Sequence, residues 1–90
     1  MTVYIGVDFH ARQQTISYLT TEDGEIKRLQ VDHGQPEEVR RFYQQFAWQR
    51  VIVGFESNGR AAWFEELLES LGCEIWVGHA LAIRTYARRR

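Results

Sequence analysis

One cysteine, Cys73, among 90 residues excludes an internal disulfide, and no cluster of cysteine and histidine has the spacing of a structural zinc. The single proline, Pro36, excludes collagen-like and proline-rich linker character. No apolar run approaches the ~20 residues of a membrane-spanning helix. The longest uncharged one is Val51-Ile52-Val53-Gly54-Phe55. No basic segment followed by an apolar stretch marks a signal peptide at the amino terminus, so the expected location is the cytoplasm. Excess basic charge is missing too: the net charge is −1, and nothing in the total draws the chain to phosphates. What is present is a folding composition, 44% hydrophobic and 13% aromatic, at a length that fits one small domain.

The charge is unevenly spread. Ten of the eleven basic residues are arginine, and four fall in the last seven positions: Arg84, Arg88, Arg89 and Arg90. Arginine forks match phosphate oxygens in pairs better than lysine does. A solvated chain end is the plainer account of the same run.

Periodicity supplies the elements. Val3, Ile5 and Val7 alternate with Tyr4, Gly6 and Asp8, which predicts a strand over Thr2 to Asp8. A second strand is expected at Thr15 to Leu19. Asp23-Gly24 then marks a hairpin leading to a third strand over Glu25 to Val31, charged as an edge strand should be. Pro36 with Glu37 and Glu38 opens a helix whose apolar stripe is Val39, Phe42, Tyr43 and Phe46. Arg50 to Glu56 reads as a strand buried on both faces. Ser57 or Asn58 is expected to cap a second helix, striped by Phe64, Leu67, Leu68 and Leu71 and stopped by Gly72. Glu74 to Val77 predicts a fifth strand, and Ala80 to Arg88 the start of a third helix. Helical crossovers are right-handed and make their strands parallel. The simplest sheet that satisfies these rules is α/β, mixed, five-stranded and ordered 3-2-1-4-5, the ribonuclease H-like arrangement, an order compatible with other α/β folds too.

In that sheet Asp8 and Glu56 end adjacent parallel strands and share the carboxyl edge, where open α/β sheets bind ligands. Two carboxylates about 4.8 Å apart repel, and together they form a hard oxygen site suited to Mg²⁺ or Mn²⁺. Gly6 and Gly54 each precede an acid by two residues and share its sheet face, which marks a close approach of backbone or a later helix. Solvated or helix-capping carboxylates at strand ends remain the alternative. His10 is a metal ligand or proton shuttle on one reading and an exposed loop residue on the other. Arg60 either touches phosphate or pairs with Glu56. Trp48, Trp63 and Trp76 are too dispersed for a base-stacking platform, and at least two are expected in a core or interface.

The opening Tyr4-Ile5-Gly6-Val7-Asp8-Phe9-His10-Ala11-Arg12-Gln13-Gln14-Thr15 resembles the start of the DEDD transposases. These are insertion-sequence recombinases with a RuvC-like amino-terminal domain, guided by a bridge RNA. Val53-Gly54-Phe55-Glu56-Ser57-Asn58-Gly59-Arg60 is similar to their second motif, and Trp76-Val77-Gly78 with Ile83-Arg84 to the approach to their third. The resemblance implies that Asp8 and Glu56 are the first two acids of an Asp-Glu-Asp-Asp metal tetrad. It implies that Arg88-Arg89-Arg90 opens the basic segment before the other two, and that a serine-bearing domain follows. The chain is then an amino-terminal portion with half a metal site, inactive alone. The whole family protein would cleave and join DNA with Mg²⁺ or Mn²⁺, with DNA and guide RNA as partners. Arg60, Arg84, Arg88, Arg89 and Arg90 would lie near phosphates, and self-association of an uncovered face is expected. Other readings stay open. One is a non-catalytic ribonuclease H-like remnant that binds nucleic acid or itself. Another is a Holliday-junction resolvase-like nuclease. A third is an actin-like kinase fold, against which Phe9-His10-Ala11 stands where a phosphate-gripping glycine belongs.

Overall fold

The computed structural model describes residues 1–56 and 61–77. Five strands and two helices follow in the order β1 (Thr2–Phe9), β2 (Gln13–Thr20), β3 (Lys27–Asp32), α1 (Pro36–Gln44), β4 (Arg50–Phe55), α2 (Ala62–Ser70) and β5 (Glu74–Val77). The fold is α/β. Its strands form one mixed sheet in the order β3-β2-β1-β4-β5, with β1–β2 and β2–β3 antiparallel and β1–β4 and β4–β5 parallel. The expected third helix, over Ala80 to Arg88, lies outside the described residues. No helix among the described residues is long and apolar enough to cross a membrane.

Alternation divides the sheet into two faces. Val3, Ile5 and Val7 of β1 stand opposite Val51, Val53 and Phe55 of β4, and all six are buried. Val39, Phe42 and Tyr43 of α1 and Phe64 and Leu68 of α2 join the same core cluster, so both helices build the core on this face. The other face holds Gly6 opposite Gly54, Tyr4 opposite Ile52, and Leu19 opposite Tyr4. Leu19 and Ile52 are buried yet lie outside that cluster.

Three local departures from the sequence expectations have physical causes. The third strand starts at Lys27 rather than Glu25. The Asp23 carboxylate accepts from the Glu25 backbone N–H at 3.0 Å and from Lys27 Nζ at 3.0 Å, which keeps the chain turning past Gly24. The first helix ends at Gln44, before Phe46. The Phe46 N–H turns back to the Tyr43 carbonyl at 3.3 Å, a tightened final turn that still buries the Phe46 ring. The second helix begins at Ala62, later than the expected caps Ser57 and Asn58 would start it, with Ala61 at its N-cap position and no side-chain cap bond. Those two residues lie outside the described ones. At the far end of α2 the expected stop holds. Gly72 has φ +76°, its N–H donates to the Glu69 carbonyl at 3.0 Å, and the Cys73 N–H donates to the Leu68 carbonyl at 3.0 Å.

Candidate functional site

Register brings the two acids together. The β1–β4 ladder pairs Gly6 with Gly54 and Val7 with Phe55, so Asp8 and Glu56 follow as the next positions on neighbouring parallel strands. The branched runs on β1 and β4 fix this register, because a slip by one residue would turn Val3, Ile5 and Val7 out of the core. Both acids are exposed. The glycines beneath them are buried, on the face that neither α1 nor α2 covers.

Asp8 has a neighbour on the turn to β2. His10 Nε2 lies 3.3 Å from Asp8 Oδ2, with the two side chains 53% and 74% exposed. The turn is closed by the His10 N–H donating to the Gln13 carbonyl at 2.9 Å. Across the sheet from Asp8 come Thr15 of β2 and then Gln30 of β3. At this exposure the His10–Asp8 contact is worth little by itself.

The donor set agrees with a hard divalent cation. Mg²⁺ is commonly held through one or two carboxylates and keeps several waters. Asp8 and Glu56 supply two such carboxylates at one edge. Among the described residues no group of three histidine, cysteine, aspartate or glutamate side chains converges on a common point. Arg60, Arg84, Arg88, Arg89 and Arg90 lie outside the described residues, so the expected phosphate contacts have no geometry. All twelve acids of the chain fall within residues 1–77, against seven of its eleven bases.

A polar network beside this edge was not anticipated. Gln14 is the one buried polar residue among the described residues. Its Oε1 accepts from the Tyr43 hydroxyl, and its Nε2 faces His33 Nε2 at 3.0 Å. His33 Nδ1 faces the Ala11 carbonyl at 3.3 Å, and the His33 N–H donates to the Arg12 carbonyl at 2.7 Å. The imidazole lies between Phe9, with ring centres 4.7 Å apart, and Trp63, at 5.0 Å and edge-on. Burial holds the Tyr43 hydroxyl well above its ordinary pKa, with the Cys73 thiol adding to the effect. The Cys73 thiol is itself pushed up by burial. A sequence signal for the network exists. Gln14 sits in the apolar phase of β2, in step with Ile16 and Tyr18, where a polar side chain needs buried partners.

The three tryptophans differ in their packing. Trp48 is fully exposed, and Trp63 and Trp76 are each 41% exposed. Trp63 nonetheless packs at ring distance on Phe9, His33 and Phe64. Trp76 donates from Nε1 to Glu74 Oε2 at 3.0 Å, and Glu74 also pairs with Arg50 at 3.3 Å.

No protein-family model matches the chain, and no curated protein matches it. The class defined at this point is therefore a class of fold: an α/β domain with a mixed sheet ordered 3-2-1-4-5 and two acids at its carboxyl edge.

Proposed function

We propose that this chain is the amino-terminal part of a ribonuclease H-like, RuvC-like catalytic domain of a DEDD transposase, with Asp8 and Glu56 as two of its metal-holding carboxylates. The observation that carries the reading is the β1–β4 register, which makes these two acids neighbours although 47 residues separate them in the chain. The strand order and the two acid-bearing motifs support the same assignment.

In this reading Asp8 and Glu56 hold Mg²⁺ or Mn²⁺ and lose their mutual repulsion on doing so. When bound, such an ion polarises a phosphodiester and offsets charge on its oxygens. His10 lies within 3.3 Å of the Asp8 carboxylate, beside the ion this reading places there. Gly6 and Gly54 leave the sheet surface below the acids without side chains, so backbone or ligand can approach closely. The third and fourth acids and the serine nucleophile of the family would come from sequence beyond this chain. Cleavage and joining of DNA therefore belong to the larger protein, with a guide RNA choosing the site. The arginines at 60, 84 and 88–90 would meet phosphates, contacts that position a nucleic acid rather than specify its sequence.

Titration of the chain with Mn²⁺, followed by paramagnetic broadening of amide resonances, tests the site. Broadening centred on the Asp8 and Glu56 segments is expected, and Asp8→Asn or Glu56→Gln should each abolish it. If both substitutions leave the broadening unchanged, the metal-site reading fails.

A further inference from the structure

Between Asp8 and His10 stands Phe9, and its burial fixes the phase of both. The Phe9 ring packs on Phe55, Trp63 and Phe64, with ring centres 6.3, 5.8 and 5.3 Å away. Asp8 and His10 take the opposite phase, the one that holds Gly6. One residue past β1 the chain turns, and the His10 N–H donates to the Gln13 carbonyl at 2.9 Å. His10 Nε2 then lies 3.3 Å from Asp8 Oδ2.

That separation is long for a charge-assisted hydrogen bond, which runs about 2.7–2.9 Å. It matches the gap between two donors on one metal ion. With bonds of about 2.1 Å, neighbouring donors stand about 3.0 Å apart on an octahedral ion and about 3.4 Å apart on a tetrahedral one. We propose that Asp8 and His10 form a mixed oxygen–nitrogen seat for a divalent transition ion, so that this edge takes Zn²⁺ in preference to Mg²⁺. The inference rests on the reading of Asp8 as an ion-holding carboxylate and adds the class of ion.

The donor chemistry sets the preference. Carboxylate and water suit Mg²⁺, whereas imidazole suits Zn²⁺, Ni²⁺ and Cu²⁺. Mg²⁺ keeps several of its waters and gains little from a nitrogen beside it, while Zn²⁺ readily takes histidine and carboxylate together. Both side chains are exposed, so an ion reaches them without rearrangement of the core and water fills the remaining positions. Competing soft donors stand elsewhere. His33 faces Gln14 with one ring nitrogen and the Ala11 carbonyl with the other. Cys73 immediately precedes β5, at the opposite edge of the sheet from Asp8, and is half-buried.

Separate titrations with Zn²⁺ and Mg²⁺ at pH 7.5 test this, read by amide spectra and by long-range proton–nitrogen spectra of the histidine rings. Zn²⁺ is expected to move the His10 Nε2 and Asp8 amide resonances together, at lower concentration than Mg²⁺ moves the Asp8 amide. His10→Ala should weaken Zn²⁺ at Asp8 by roughly tenfold or more, since even outer-shell partners of a metal are worth that much, and Mg²⁺ by under about twofold. Asp8→Asn should weaken both ions. A His10 Nε2 resonance that Zn²⁺ leaves in place, a preference for Zn²⁺ that survives intact in His10→Ala, or Zn²⁺ held at His10 with full strength in Asp8→Asn would each overturn the mixed seat. Of these, the first two leave Asp8 as an ion-holding carboxylate wherever Asp8→Asn still weakens Mg²⁺. Binding of both ions unchanged in Asp8→Asn overturns the underlying reading as well. Should a substitution unfold the chain, the His10 ring resonance of the unsubstituted protein decides.

Discussion

Phe64 is the side chain on which this small core most depends, and its truncation gives a quantitative test. It is fully buried in α2, with ring centres 5.3 Å from Phe9, 5.4 Å from Tyr43, 5.2 Å from Phe55 and 5.7 Å from Trp63. It therefore joins β1, β4, α1 and its own helix. Phe64→Ala forfeits the transfer energy of a ring and leaves a cavity walled by four other rings that cannot collapse inward, a loss of about 3–5 kcal/mol. A domain of this length has a total stability of roughly 5–13 kcal/mol, so the variant loses a quarter of it or more. Phe64→Leu keeps most of the volume and should cost about 1 kcal/mol. Urea unfolding followed by far-ultraviolet circular dichroism and tryptophan fluorescence measures both. With a slope near 1–1.5 kcal/mol per molar for a small protein, the alanine midpoint should fall by about 3 M. A fall of under 1 M at unchanged slope would refute the reasoning, because the aromatic cluster would then be able to close over the gap.

Two further outcomes follow from exposed positions. Trp48 holds a left-handed backbone, φ +76°, with its side chain wholly in solvent, so Trp48→Gly removes backbone strain and no burial. It should raise stability by about 0.5–1 kcal/mol in the same urea assay. Asp23 has its pKa lowered, first by the Glu25 backbone N–H and then by Lys27. A depressed folded-state value contributes stability above the unfolded carboxylate range, and that contribution disappears as pH falls through the folded value. Unfolding free energies measured from pH 5 down to pH 2 should fall less steeply for Asp23→Asn than for the unsubstituted chain.

The order of elements and the strand order were legible because two periodicities are clean. β1 and β4 carry branched residues in phase, α1 and α2 carry apolar stripes, and a 3-2-1-4-5 sheet is the shortest right-handed way to join them. The adjacency of Asp8 and Glu56 followed from that topology. Features set by side chains far apart in sequence were not legible. Gln14 finds Tyr43 and His33, respectively 29 and 19 residues away, and only the folded core shows it. The start of β3 was misjudged for a related reason. The Asp23 carboxylate captures the Glu25 N–H and so outweighs the local strand preference of Glu25 and Ile26. The exposure of Trp48 was not legible either, because that residue sits in a tight connection after α1 that has no interior to enter.

The confinement of every carboxylate to residues 1–77 sets the manner in which a polyphosphate can meet this molecule. The sheet-bearing portion is an anionic particle, and the edge with Asp8 and Glu56 is part of its repulsive surface. A nucleic acid drifting toward that edge is turned away unless arginine leads or a divalent ion has already converted the local potential. Two opposed fields would then be screened together by added salt. On the proposed function, the dependence of nucleic-acid association on ionic strength should accordingly be shallower than a count of Arg84, Arg88, Arg89 and Arg90 alone would give.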